Sequence, residues 1–371
     1  MTSILSTMLE KDLRRFKKRW ILLGLFVCLY MAITDFCALA APPSPSPEPP
    51  DSTLEAFTRL LALEQYDSAA ALEELMLQSD SRQAWGNLLR ATRLVAEQAD
   101  FGDTLGEALY FHSLEAAVSL FSEAINAFPD TLPEVRASWL EAMGTLEGLV
   151  AQRYQEVDDR PLAAVTPARK SASFFRQACT FDSSRLSARA GLLFYNFWHD
   201  QALHFLSWTP LVTDRREESL RQLEQIVHST HRARWSTAPG LLWSLIEAGD
   251  TERAAVLADS LLQTRGEIRN LLEPAGKALF LDQRWTEAAD RYERLITEIR
   301  SAPRQNRVRE VGALHRLGHI YTAQNRWDQV RRVVREADSL PLTPAERKRK
   351  KEDFRRLHVL DKEAQKHFVA E

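Results

Sequence analysis

Apolar residues recur along this chain at three- and four-residue intervals, and no run of alternating β-branched residues interrupts them, so the pattern predicts helix throughout. Leu314, Leu317 and Tyr321 line one face around Gly318. After a polar turn, Trp327, Val330, Val334 and Ala337 line a second face that stops before Pro341. Counting back 42 positions gives Leu272, Ala275, Gly276 and Leu279, then Trp285, Ala288, Tyr292 and Leu295. The extra length relative to a 34-residue unit fits the polar segment that begins at Ser301. A further 34 positions back, Leu241, Leu242 and Leu245 precede Gly249-Asp250, and Ala254, Ala258 and Leu261 form the next stripe. Two helices, a tight turn and a small residue where paired helices touch are thus predicted three times in register.

Upstream the spacing loosens. Ala117, Phe121 and Ala124 before Pro129, and Ser171, Phe175 and Ala178, each read as the second helix of a hairpin. Their first helices, around Trp85 to Val95 and Ala137 to Tyr154, lie too far away for a 34-residue unit. Longer hairpins with inserted loops at Ala99 to Thr104 and Asp158 to Pro167 are expected. Tyr66-Asp67-Ser68-Ala69 reads as one more turn and second-helix entry. Thr343-Pro344-Ala345-Glu346 offers an N-cap, a first-turn proline and the acid of a capping box, for a helix reaching to about Gln365.

The spacing Leu314-x2-Leu317-Gly318-x2-Tyr321, followed by Trp327, Val330, Val334, Ala337 and Pro341, resembles the tetratricopeptide repeat (TPR) superfamily. The resemblance implies an all-α fold: a right-handed superhelical array of antiparallel helical hairpins, an α-solenoid, closed by a C-terminal capping helix. The expected organisation is a signal peptide or signal anchor over 1–40, a Pro-rich linker over 41–52 and degenerate TPR-like hairpins over 53–233. Three TPR units over 234–341 and a basic capping helix over 342–371 complete it. With 13 glycines in 371 residues the composition agrees, since few positions disfavour helix.

The N-terminus bears on the compartment. Lys11, Arg14, Arg15, Lys17, Lys18 and Arg19 precede an uncharged run from Trp20 to Ile33, and Ala38-Leu39-Ala40 offers a small-residue cleavage site. This predicts export to the periplasm or beyond a bacterial cell, with cleavage after Ala40. An uncleaved inner-membrane anchor with the body outside the cytoplasm is the alternative, and only then would the chain contact membrane. The proline run from Pro42 to Pro50 reads as an extended spacer. Cleavage would leave Cys179 without an internal partner, since Cys28 and Cys37 lie in the signal segment. It would also leave 42 basic against 48 acidic residues, a balance that points away from nucleic acid.

The chain contains no phosphate-loop, dinucleotide, HExxH, GxSxG or CxxC motif, so no catalytic residue, no metal site and no cofactor is expected. His315 and His319 place two imidazoles on one helix face, but two ligands do not make a metal site. Carried over position by position, the TPR resemblance puts Pro239, Trp243 and Glu247, then Glu273, Lys277 and Phe280, then His315, His319 and Thr322 on a concave face. That face would bind a protein partner's peptide or helix, with Trp243 and Phe280 as apolar anchors. Glu273 and Lys277 are equally an ordinary surface i,i+4 pair. Of the lysines and asparagines that a chaperone-tail groove uses, only Lys277 is suggested. The alternative site is the aromatic group Phe194, Tyr195, Phe197, Trp198, Phe205 and Trp208. With His199 and Asp214 it either forms a pocket for a small molecule, glycan or lipid, or marks a helix buried on all sides. The basic run Arg347 to Lys351 is expected to be a solvated helix face, or a contact for anionic headgroups if the chain is anchored.

Overall fold

The computed structural model describes residues 48–369, apart from 50, 102–105, 130, 157, 159, 161 and 204–213. The expected signal segment with Cys28 and Cys37, most of the proline run, His204, Phe205 and Trp208 lie outside the described residues. Among those described there are sixteen α-helices, one short 3-10 turn and no strand. No helix among them is long and apolar enough to cross a membrane.

The chain divides into two compact units. Among the described residues, one gathers 48–57, Asp67–Val95 and Gly106–Arg234; the other gathers Thr58–Tyr66, 96–101 and 235–369. The helices in chain order are α1 (Asp51–Ala62), α2 (Tyr66–Leu77), α3 (Gln83–Phe101), α4 (Glu107–Ala127), α5 (Pro133–Glu156), α6 (Val165–Phe181), α7 (Leu186–Leu203) and α8 (Arg216–Val227). They continue with α9 (Ala233–Ala248), α10 (Thr251–Arg265), α11 (Arg269–Leu281), α12 (Trp285–Ser301), α13 (Arg307–Ala323), α14 (Trp327–Ser339), α15 (Pro344–Arg349) and α16 (Lys351–Val369).

In the first unit each helix from α4 to α8 packs on the next. Trp85 of α3 meets Phe121 of α4 edge-on, and the Phe175 ring of α6 sits against Gly144 of α5 and Gly191 of α7. Helix α3 runs through Phe101, so the loop expected from Ala99 starts later. The spacer expected to reach residue 52 also ends earlier. Pro49 is buried, Asp51 opens α1, and the Glu48 carboxylate accepts from both terminal nitrogens of Arg185 at 2.8 and 2.7 Å and from Arg232 at 3.2 Å. Charge pairing there outweighs the tendency of proline-rich chain to stay solvated.

In the second unit consecutive helices again pack as neighbours from α10 to α14, and α16 lies against both α13 and α14. This succession is the packing pattern of an α-solenoid. One turn is built four times. Glu64, Gly249, Gln283 and Asn325 each take a left-handed backbone, at φ of 58°, 86°, 61° and 57°. The following N–H donates to a carbonyl five residues back: Gln65 to Leu60, Asp250 to Leu245, Arg284 to Leu279 and Arg326 to Tyr321, at 2.8 to 3.0 Å. A second bond from the left-handed residue itself closes each Schellman turn. In every case the next helix begins two residues after the left-handed position.

The C-terminal segment departs from one expectation. Thr343 and Glu346 do form the capping box, but the helix breaks at Lys350, giving the short α15 and then α16. Leu357, Leu360 and Ala364 of α16 are buried.

Candidate functional site

Helices α9, α11 and α13 carry the residues that sequence register placed on a common face. Trp243 is 36% exposed, the largest aromatic side chain among the exposed residues of the second unit. One turn on, Glu247 is half-buried, and its carboxyl is pushed up from the usual range by burial, which the nearby Lys277 charge partly offsets. On α11, the Lys277 ammonium lies 5.8 Å from the Phe280 ring centre, and Arg316 of α13 lies 5.4 Å from the same ring. Phe280 and Trp285 meet edge to face with ring centres 5.6 Å apart. The structure therefore assembles Glu247, Lys277, Phe280 and Arg316 into one mixed aromatic and charged constellation, with Trp243 on the same helix face as Glu247.

Three expected lining residues stand differently. Phe280 is buried, so it offers its ring to two cations and is not a protruding anchor. His315 and His319 are 3% and 8% exposed, on the helix that α16 packs against. His315 Nδ1 meets Asp353 of α16 at 3.1 Å and its Nε2 faces His319 Nε2 at 3.0 Å. The open face that the register predicted therefore does not continue across the third hairpin. Thr322 is buried too, donating to the Gly318 carbonyl at 2.8 Å. Among the described residues no group of three His, Cys, Asp or Glu side chains converges as metal ligands.

Glu273 belongs to a cluster that sequence reasoning missed. It accepts from Arg309 Nε at 2.7 Å, while Arg309 Nη1 reaches Asp100 at 2.6 Å and Arg309 Nη2 reaches the Arg269 carbonyl at 3.0 Å. Arg269 donates to both Asp100 oxygens at 3.1 and 2.6 Å and pairs with Glu64 at 3.1 Å. Tyr66 donates its hydroxyl to Asp100 at 3.2 Å, and the Asn306 amide donates to the Asp100 carbonyl at 2.5 Å. Burial pushes the Glu64 carboxyl up, reinforced by the Asp100 charge, while Arg269 and Arg309 pull it down. Asp100 lies about two hundred positions from Arg309 and Asn306 in sequence. Local spacing carries no signal for such a pairing.

The alternative aromatic site is only partly drawn together. On α7 the buried stripe is Ala190, Leu193, Phe197 and Asp200, at helical spacing, and Phe194, Tyr195, Trp198 and His199 flank it half-buried. The helix is therefore not buried on all sides. Tyr195 stacks on His199 at 5.7 Å, His199 meets Asp200 at 2.9 Å, and Asp200 takes two bonds from the Arg215 side chain. Asp214 is exposed and engages Arg216 through both carboxylate oxygens.

Arg347, Lys348, Arg349 and Lys351 are exposed, and Lys350 pairs with Asp353 at 3.1 Å. The sequence matches no protein-family model and no curated protein.

Proposed function

We propose that this chain is a non-catalytic protein-binding scaffold of TPR type, which takes a partner's peptide or helix along the first helices of its C-terminal hairpins. The observation that carries the reading is the constellation of Trp243, Glu247, Lys277, Phe280 and Arg316 on α9, α11 and α13. An exposed indole beside cations held over a buried ring is a surface suited to apolar anchoring with charge-set register. The fourfold Schellman turn, with its 34- and 42-residue spacings from Gly249 through Gln283 to Asn325, supports a repeat array. The basic flank, apolar run and Ala38-Leu39-Ala40 support work in the bacterial envelope, and no cofactor is invoked.

The test is affinity capture from envelope fractions with C-terminally tagged protein, beside a Trp243→Ala/Lys277→Glu variant. Phe280 is left intact because its ring is buried, and truncating it would confound binding with stability. A defined partner that is lost in the variant, while the variant keeps the wild-type helical spectrum, is the expected result. A partner held equally by both proteins would end the groove reading and turn attention to Tyr195, Trp198 and His199. Intact mass of the purified chain reports cleavage after Ala40 in the same preparation.

A further inference from the structure

Four of the chain's nine histidines sit where α16 meets α13 and α14. His315 Nδ1 meets Asp353 Oδ1 at 3.1 Å, and Lys350 holds the other Asp353 oxygen at 3.1 Å. His315 and His319 face each other through Nε2 at 3.0 Å, both buried. At the seam's exposed edge, His358 of α16 reaches both oxygens of Asp338 on α14 at 3.1 Å. Beyond it the His367 ring stacks on Trp327 at 4.0 Å and 8°. Between these contacts Leu360 and Leu357 press on Gly318, where an added Cβ would meet them at 3.1 and 3.3 Å.

The buried pair is chemically particular. With Asp353 ionised, His315 donates through Nδ1, which leaves its Nε2 as an acceptor for the Nε2–H of His319. A proton added to His315 sets N–H against N–H and forces His319 to change tautomer. A second proton leaves two imidazolium rings in contact in a buried site. The charges acting on His315 are Arg316 on α13 and Arg356 on α16, both of which oppose a further positive charge, and Asp353, which favours it. Glu293 of α12 and Arg332 of α14 meet α13 at Tyr321. Burial outweighs Asp353 and holds His315 below the ordinary imidazole range, whereas burial would raise Asp353 but its bond from His315 and the Lys350 charge hold it well below the carboxylate range.

We propose that α16 is a proton-released flap: acidification through the imidazole range breaks the His315–His319–Asp353 arrangement, loosens α16 from α13 and α14, and uncovers the α13 face around Gly318. The sign follows from linkage. A histidine whose folded-state affinity for protons is lowered is less protonated when packed than when released, so the packed state loses ground as pH falls below about 6.5. At the exposed edge His358 and Asp338 are both about half exposed, so water screens their contact. The flap proposal stands on the seam alone and does not depend on the groove binding a partner.

Hydrogen exchange of the full chain at about pH 7.5 and about pH 5.5, each normalised to intrinsic exchange, reads the seam directly. The expected result is that amides of α16 lose about tenfold in protection at the lower pH, while those of α11 hold. A His315→Gln/His319→Gln variant should show α16 equally protected at both. Equal protection of α16 in the wild type, or a loss that survives in the double variant, overturns the proposal. Should the double variant fail to fold, His358→Gln decides: it removes only the screened, exposed contact, so the acid loss must persist. Disappearance of the loss in that variant would place the sensitivity at the exposed pair and overturn the proposal equally.

Discussion

At the scale of single residues, the decisive positions are those where a methyl group has no room or a backbone has no choice. The Phe175 ring is clamped between Gly144 and Gly191, and a Cβ on Gly191 would fall 2.3 Å from a ring carbon. Gly191→Ala should therefore destabilise the first unit by about 2–3 kcal/mol, read as a lower urea midpoint with an unchanged slope. Gly276 behaves as the repeat spacing predicts: its added Cβ would meet the Tyr292 ring of the paired helix at 3.1 Å. Gly318 obeys the same sequence rule for a different reason, since its nearest neighbours are Leu360 and Leu357 of α16 and Val333 of the paired helix is farther, at 3.6 Å. The need for a small residue is legible from spacing; the identity of the neighbour is not. The left-handed turn positions offer a second prediction. Gln283 bears a strain that Gly249 does not at the equivalent turn. Gln283→Gly should raise stability by about 0.5–1 kcal/mol, detectable as a higher melting temperature.

At the scale of elements, the four Schellman turns show why the hairpins form: each closes the carbonyls at the end of one helix and launches the next two residues later. These bonds are local, so Tyr66 could be placed at a helix entry from its sequence alone. What joins hairpin to hairpin in the second unit is not local. Asp100, at the end of α3, bonds with Arg269 of α11 and Arg309 of α13, and Asn306 caps α13 while its amide reaches the Asp100 carbonyl. Replacing Asp100 by Asn would leave two guanidinium groups facing a neutral amide. The expected cost is about 3 kcal/mol, at the lower end for a broken buried pair because Glu64 and Glu273 remain, and chemical denaturation would measure it. No loss of stability in that variant would show the cluster to be incidental to folding. The break at Lys350 was likewise hidden: the capping box announces where α15 begins, whereas Lys350 ends it to reach Asp353.

At the scale of the whole molecule, charge is plentiful and nearly balanced, at 48 basic and 51 acidic residues. Many described ion pairs are exposed, such as Arg221–Glu218 and Arg355–Glu352, and water screens pairs of that kind so that they contribute little. The strongly held ones, around Asp100 and around Glu48, are sheltered from solvent ions. Thermal unfolding should therefore shift by only a few degrees when NaCl rises from about 0.05 to about 0.5 M. A steep fall across that range would show that surface pairs hold the fold.

The sequence by itself determined the helical class, the turn before Tyr66 and the capping box at Thr343. Each follows from contacts within a few residues, which hydrophobic period and capping chemistry record directly. Only the tertiary structure decided that His315 and His319 lie beneath α16, that Phe280 is walled in by Trp285, Lys277 and Arg316, and that Glu64, Asp100, Arg269 and Arg309 form one buried cluster. Those outcomes depend on which distant helix covers which face, and a charged residue reads the same in sequence whether water or a guanidinium neutralises it.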